Sequence, residues 1–228
     1  MLIQLLSGRL DFASAMTQVF AILLIVFLVL PFHEWAHAFT ALKLGDTSVK
    51  YRGRLTLNPM AHIDPFGALA LLLFGFGWAK PVPVDPSNFK KPKLGMGIVA
   101  LMGPIANIVA AIVGGLIFHA IEAFAPTFFI GQGFGYYISL FLLFYIQINV
   151  SLAVFNLLPI PPLDGSKILF IFLPDSAVAW FYRYQNIISI VLIALLWIGV
   201  LNVPLGFLSK YLLTFIHWLT ALPFSFVK

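Results

Sequence analysis

Apolar stretches of about 20 residues recur along this chain, and that recurrence settles its class. The composition agrees. Hydrophobic residues make up 61% and charged residues 9% of the 228 positions, against about 45–50% and about 25% in a soluble domain. Membrane-length runs of this kind are helices, because lipid-facing strands would alternate over about ten residues. The fold class expected is an all-α polytopic membrane protein. It has five to six transmembrane helices, with a small β-hairpin and a re-entrant element on the cytosolic side. Residues 1–228 read as one integral-membrane domain, with a core at about 15–170 and C-terminal helices at about 180–222. The first apolar stretch is too long for a cleaved signal peptide.

The first span is expected from about Phe12 to Leu44, stopped by Gly45-Asp46. Thr47 to Pro59 contains two short β-prone runs around Arg52-Gly53, which predicts a hairpin over Ser48–Leu57. Its free edge could take an extended substrate as an added strand, with Asn156 on the other side. Pro65 to Ala79 is apolar but short and glycine-punctuated, hence the re-entrant expectation. Full spans follow at Leu94 to Phe124 and Tyr136 to Leu158, separated by the turn Gly131–Gly135. Another lies at Asn186 to Val200. Pro204 to Leu222 spans or lies at the interface.

Eight of the 13 basic residues lie between the first two full spans: Lys43, Lys50, Arg52, Arg54, Lys80, Lys90, Lys91 and Lys93. By the positive-inside rule that face is cytosolic. The net charge of +5 is thus an orientation signal, and nucleic acid is not an expected partner. The lipid bilayer is. The expected location is a membrane that the chain crosses several times.

Inside the first span stands His33-Glu34-Trp35-Ala36-His37. This HExxH spacing puts two imidazoles one helical turn apart, where both reach one Zn²⁺, with a glutamate placed as general base. Ionisable groups at membrane depth are costly, so they mark a functional site. The chain has no cysteine, so every metal ligand must be His, Asp or Glu. A catalytic zinc takes about three protein ligands. Asp164, at the cytosolic end of the third full span, is the candidate for the third, the bland alternative being a helix cap. Asn156 is either a substrate contact or a structural partner for broken-helix carbonyls. Asn107 either packs between helices or contributes at the site. His62 and Asp64 are expected to order a turn, and His119 and His217 to lie at the interface.

The chain resembles the site-2 protease family of intramembrane zinc metalloproteases. The resemblance rests on His33 to His37, on Asn156-Leu157-Leu158-Pro159-Ile160-Pro161-Pro162-Leu163-Asp164-Gly165, and on Gly103-Pro104-Ile105-Ala106-Asn107 between them. Arg54 to Pro65 and Gly77 to Val84 look like the small bacterial subgroup. Some family members carry a PDZ or CBS domain, and the sequence leaves room for neither. The resemblance implies His33, His37 and Asp164 as zinc ligands and Glu34 as the base. It also implies cleavage of transmembrane proteins or peptides near the cytosolic face. The other function class is a non-proteolytic membrane carrier or sensor of a divalent metal. It is disfavoured because the candidate ligands share one depth and Glu34 has no use there.

Overall fold

The computed structural model describes residues 19–20, 23–74, 78–130 and 133–227. The start of the first span and part of the Gly131–Gly135 turn lie outside them. Five helices among the described residues are long and apolar enough to cross a membrane. They are α1 (Ile25–Lys43), α4 (Pro92–Phe124), α5 (Phe134–Asn156), α7 (Asp175–Ile198) and α8 (Asn202–Ala221). Shorter helices are α2 (Ser48–Tyr51), α3 (Pro65–Phe74) and α6 (Asp164–Phe170). The chain divides into two compact units, Met1–Gly103 and Pro104–Lys228, with the division inside α4.

In the first unit, α1 opens with a π-helical turn over Ile25–Val29, immediately before Pro31. Proline has no N–H and its ring crowds the carbonyl four residues back, at Phe27. A widened turn there relieves the crowding. Beyond it the helix sorts its faces. Phe32, Trp35 and Phe39 stack in a stripe with centroids 5.9 and 5.0 Å apart. His33, Ala36, His37 and Ala41 are buried. The helix ends where Gly45 takes a left-handed φ of 116° and Asp46 N–H donates to the Ala41 carbonyl.

The expected hairpin is not there. The described residues contain no strand, and Ser48–Tyr51 forms the helical turn α2. Two physical causes outweigh β-propensity. Asp46 accepts the Ser48 N–H at 3.0 Å, starting a turn. Val49 is then fully buried in a core with Ala38, Ala41, Phe89 and Val99. Neither Val49 nor Leu55 lies on a free strand edge, so strand addition at this segment is withdrawn. The only β-type pairing described is one antiparallel bridge, Ile63 with Ala79.

That bridge closes the short apolar segment on itself. Helix α3 has 10 residues, about 15 Å of rise against a hydrocarbon thickness of about 30 Å. Its two flanks return to one place, where the Lys80 N–H donates to the His62 carbonyl at 2.8 Å. A Cβ on Gly67 would lie 2.0 Å from the Trp78 carbonyl oxygen, so glycine is required for the return. Asp64 Oδ1 caps α3 through the Gly67 N–H, and His62 Nε2 bonds the Thr56 carbonyl, as expected of turn-ordering residues.

In the second unit, Ala111 of α4, Ile146 and Val150 of α5 and Ile216 of α8 form a core. Helix α7 begins at Asp175, well before the expected Asn186, with Pro174 before it and an acid in its first turn. Trp180, Tyr182 and Tyr184 suit a membrane interface, which is why the polar Arg183 and Gln185 do not break it.

Asp46 ties the connecting loop to the end of α1. Its carboxylate accepts from Ser48 N at 3.0 Å, Asn88 Nδ2 at 2.8 Å and Asp85 N at 2.8 Å. Burial pushes its pKa up, but the hydrogen bonds from Asp85, Ser48 and Asn88 outweigh that and hold it below the usual carboxylate value. A lowered folded-state pKa means that this stabilisation is complete above the unfolded value of 3.8. It is lost as pH falls through the lower folded value. Asp46→Ala should cost about 3 kcal/mol, the scale of one or two hydrogen bonds to a charged group. Denaturant unfolding of the purified protein at pH 7 and pH 3 checks this, with the gap between variant and wild type narrowing at the acid end.

Candidate metal centre

His33 and His37 fall on the buried face of α1 because positions four apart share a face. Their exposures are 5% and 7%. Their Nε2 atoms lie 3.0 Å apart, and the rings meet edge to face at 84°. Two imidazole nitrogens on one tetrahedral zinc, each about 2.0–2.1 Å from it, lie about 3.3 Å apart. The pair is therefore within a few tenths of an ångström of a zinc-binding separation.

The outer nitrogen of His37 fixes the inner one. Nδ1 is 2.8 Å from the Val99 carbonyl of α4, which can only accept, so Nδ1 carries the proton and Nε2 keeps its lone pair. The backbone of α4 comes this close because of Gly103. A Cβ there would sit 2.4 Å from His37 Nε2 and 2.5 Å from His33 Cε1. The donor set fits a borderline cation such as Zn²⁺: two neutral imidazoles and no thiolate.

Glu34 points toward the connecting loop. Its Oε2 accepts the Val82 N–H at 3.2 Å. Val82 lies 48 positions away, and no local pattern marks it. The Val99 carbonyl is equally silent in the sequence, while Gly103 was visible only as a small residue in a motif. The structure thus brings His33, Glu34 and His37 together with Val82, Val99 and Gly103 inside the first unit.

The other candidates belong to the second unit. Asp164 opens α6 and is buried, with Lys167 Nζ 3.6 Å from its Oδ1. The proline-rich turn before it contains a cis bond between Pro161 and Pro162. Gly165 is confined there, since a Cβ would lie 2.3 Å from the Leu157 carbonyl oxygen. Asn156 donates from Nδ2 to the Leu152 carbonyl of its own helix at 3.1 Å. Asn107 is fully buried in α4, and neither Oδ1 nor Nδ2 has a hydrogen-bond partner. A buried amide with no partner costs about 1–3 kcal/mol, which makes Asn107 a group suited to receive something.

Comparison with known proteins adds an independent line. Residues 121–199 match Peptidase family M50. That stretch holds Asp164 but not His33 to His37. Relatives named "Putative zinc metalloprotease" include three with the suffixes YwhC, Rip2 and MJ0611. The first, from Bacillus subtilis (strain 168), is 43% identical over 148 residues, which is 64% of this chain and 67% of the relative. The second, from Mycolicibacterium smegmatis, is 36% identical over 142 residues, covering 58% of this chain and 49% of the relative. The third, from Methanocaldococcus jannaschii, is 32% identical over 142 residues, covering 60% and 63%. No solved structure matches the chain.

The contact at Gly103 generates a prediction. Gly103→Ala adds one methyl group, small enough for the helix to form, yet it must push the two imidazoles apart. Zinc content of the purified variant should fall several-fold below wild type while its circular dichroism is unchanged. Full zinc occupancy in Gly103→Ala would contradict the proposed tightness of the site.

Proposed function

The chain belongs to peptidase family M50, the site-2 proteases, and on that premise we propose that it cleaves membrane-embedded substrates near the cytosolic face, with Glu34 as general base. Membership makes it a zinc metalloprotease, and the five long apolar helices among the described residues make it a multi-pass membrane protein. The observation that carries the mechanistic reading is the pairing of His33 and His37 at 3.0 Å with Glu34 between them on α1.

His33 and His37 hold the zinc, and Asp164 supplies the third protein ligand. Support for Asp164 comes from its burial, its carboxylate chemistry and the resemblance of its proline-rich segment. Zinc, when bound, acidifies water and polarises a carbonyl. Glu34 does the proton work: its carboxylate takes a proton from the attacking water and later delivers it to the leaving amine. The Val82 N–H positions that carboxylate without neutralising it. Gly103 keeps the imidazoles packed and excludes bulk water from that side. Asn107 is proposed as a substrate contact, supported by its buried and unpartnered amide, and Asn156 as a second, supported by the resemblance of its motif. The eight basic residues from Lys43, at the end of α1, to Lys93, at the start of α4, support a cytosolic location for this end of the fold, in a bacterial inner membrane.

The test uses the full chain in micelles with single-pass test substrates. Glu34→Gln should keep its zinc and lose hydrolysis by about 10²–10⁴-fold, the usual contribution of a general base. Asp164→Ala should lose zinc. Masses of the wild-type products should place the cut in the cytosolic half of the substrate. Near-normal turnover by Glu34→Gln contradicts the base assignment, and unchanged zinc in Asp164→Ala removes that ligand.

A further inference from the structure

A second pair of histidines repeats the geometry of the first, far away in sequence. His119 lies near the C-terminal end of α4 and His217 near that of α8, both within the second unit. His119 Nε2 and His217 Nδ1 are 3.4 Å apart, and the rings cross at 83°. The separation matches the distance of about 3.3 Å that two imidazole nitrogens subtend at one tetrahedral zinc. The crossing angle also matches the 84° of His33 and His37.

The pair has an oriented outer partner. Glu122 Oε2 lies 3.0 Å from His119 Nδ1. The carboxylate accepts the Nδ1 proton and leaves the Nε2 lone pair aimed at His217. Metal-bound imidazoles carry a carboxylate or carbonyl at the far nitrogen in this way. At His37 the Val99 carbonyl does the same.

The surroundings bring the two helices together at this point. A Cβ on Gly115 would lie 2.7 Å from Thr220 Oγ1, so α4 and α8 touch closely one turn away. Phe118 walls the pair, with ring centroids 5.4 Å from His119 and 6.5 Å from His217. An apolar wall strengthens any charge interaction beside it. By the orientation proposed above, this end of α4 faces away from the cytosol.

We propose that His119 and His217 form a second divalent-metal site, with Glu122 orienting His119, that clamps α4 to α8. Two imidazoles select a borderline cation such as Zn²⁺, Ni²⁺ or Cu²⁺ over Mg²⁺ or Ca²⁺. Water completes the coordination, which makes this site weaker and more exchangeable than the first. Its role is structural: bound metal adds a link between α4 and α8. The assignment does not depend on proteolysis.

The experiment titrates Zn²⁺ alone into the chelator-stripped full chain in micelles, using calorimetry. Wild type should bind two equivalents, the weaker one not displaced by excess Mg²⁺. His217→Gln should bind one, with the tight equivalent retained. Glu122→Gln changes an exposed side chain and should keep the fold, yet weaken the second equivalent about 10–100-fold. His33→Gln should lose the tight equivalent and keep the weak one. A single equivalent in wild type overturns the proposal, and so does a second equivalent indifferent to both His217→Gln and Glu122→Gln. The histidines would then be a hydrogen-bonded clamp only. A tight equivalent that survives His33→Gln contradicts the catalytic reading instead, and His217→Gln still decides the second site.

Discussion

The close approach of α4 to α1 at Gly103 is the constraint on which the first unit depends. Two imidazoles and a carboxylate are expensive at membrane depth unless each has a partner. The backbone of α4 supplies one through the Val99 carbonyl, which reaches His37 only because Gly103 has no side chain to hold the helices apart. Packing and chemistry are therefore one problem here. Gly103 permits the contact, and the Val99 carbonyl that it brings within reach fixes the His37 tautomer.

The connecting loop follows from the same economy. A chain leaving the membrane must satisfy its backbone groups, and this one does so through a few side chains. Asp46 gathers three donors from the loop that ends at Asn88. Val82 then lies where its N–H meets Glu34. The loop is thus anchored at one end by a buried carboxylate, and it delivers a backbone donor to the Glu34 carboxylate at the other. Gly67 and the Ile63–Ala79 bridge return α3 to the same region.

What could be read from sequence was whatever a single element encodes. HExxH is an i,i+4 relation within one helix, so His33, Glu34 and His37 were legible, as were the long apolar helices and the glycine stop at Gly45. The hairpin expectation failed because β-prone residues such as Val49 are also good core residues, and core packing decided the matter. Relations across long separations were not legible. Asp46 with Asp85, Glu34 with Val82 and His119 with His217 are 39, 48 and 98 positions apart and leave no periodic trace. The start of α7 was missed because Arg183 and Gln185 interrupt an apolar pattern that an interfacial helix tolerates.

X-ray absorption at the zinc edge tests the central claim most directly. His33 and His37 are expected to present two Nε2 atoms to one zinc in a site free of thiolate. Chelator-treated His217→Gln, which keeps only the His33–His37 pair, reloaded with one equivalent of zinc, should give a low-Z first shell at about 2.0–2.1 Å with the outer-shell scattering of two imidazoles. Adding His37→Gln in that background should remove at least half of that imidazole signal. A spectrum without imidazole scattering, or one unchanged in His37→Gln, would contradict the account.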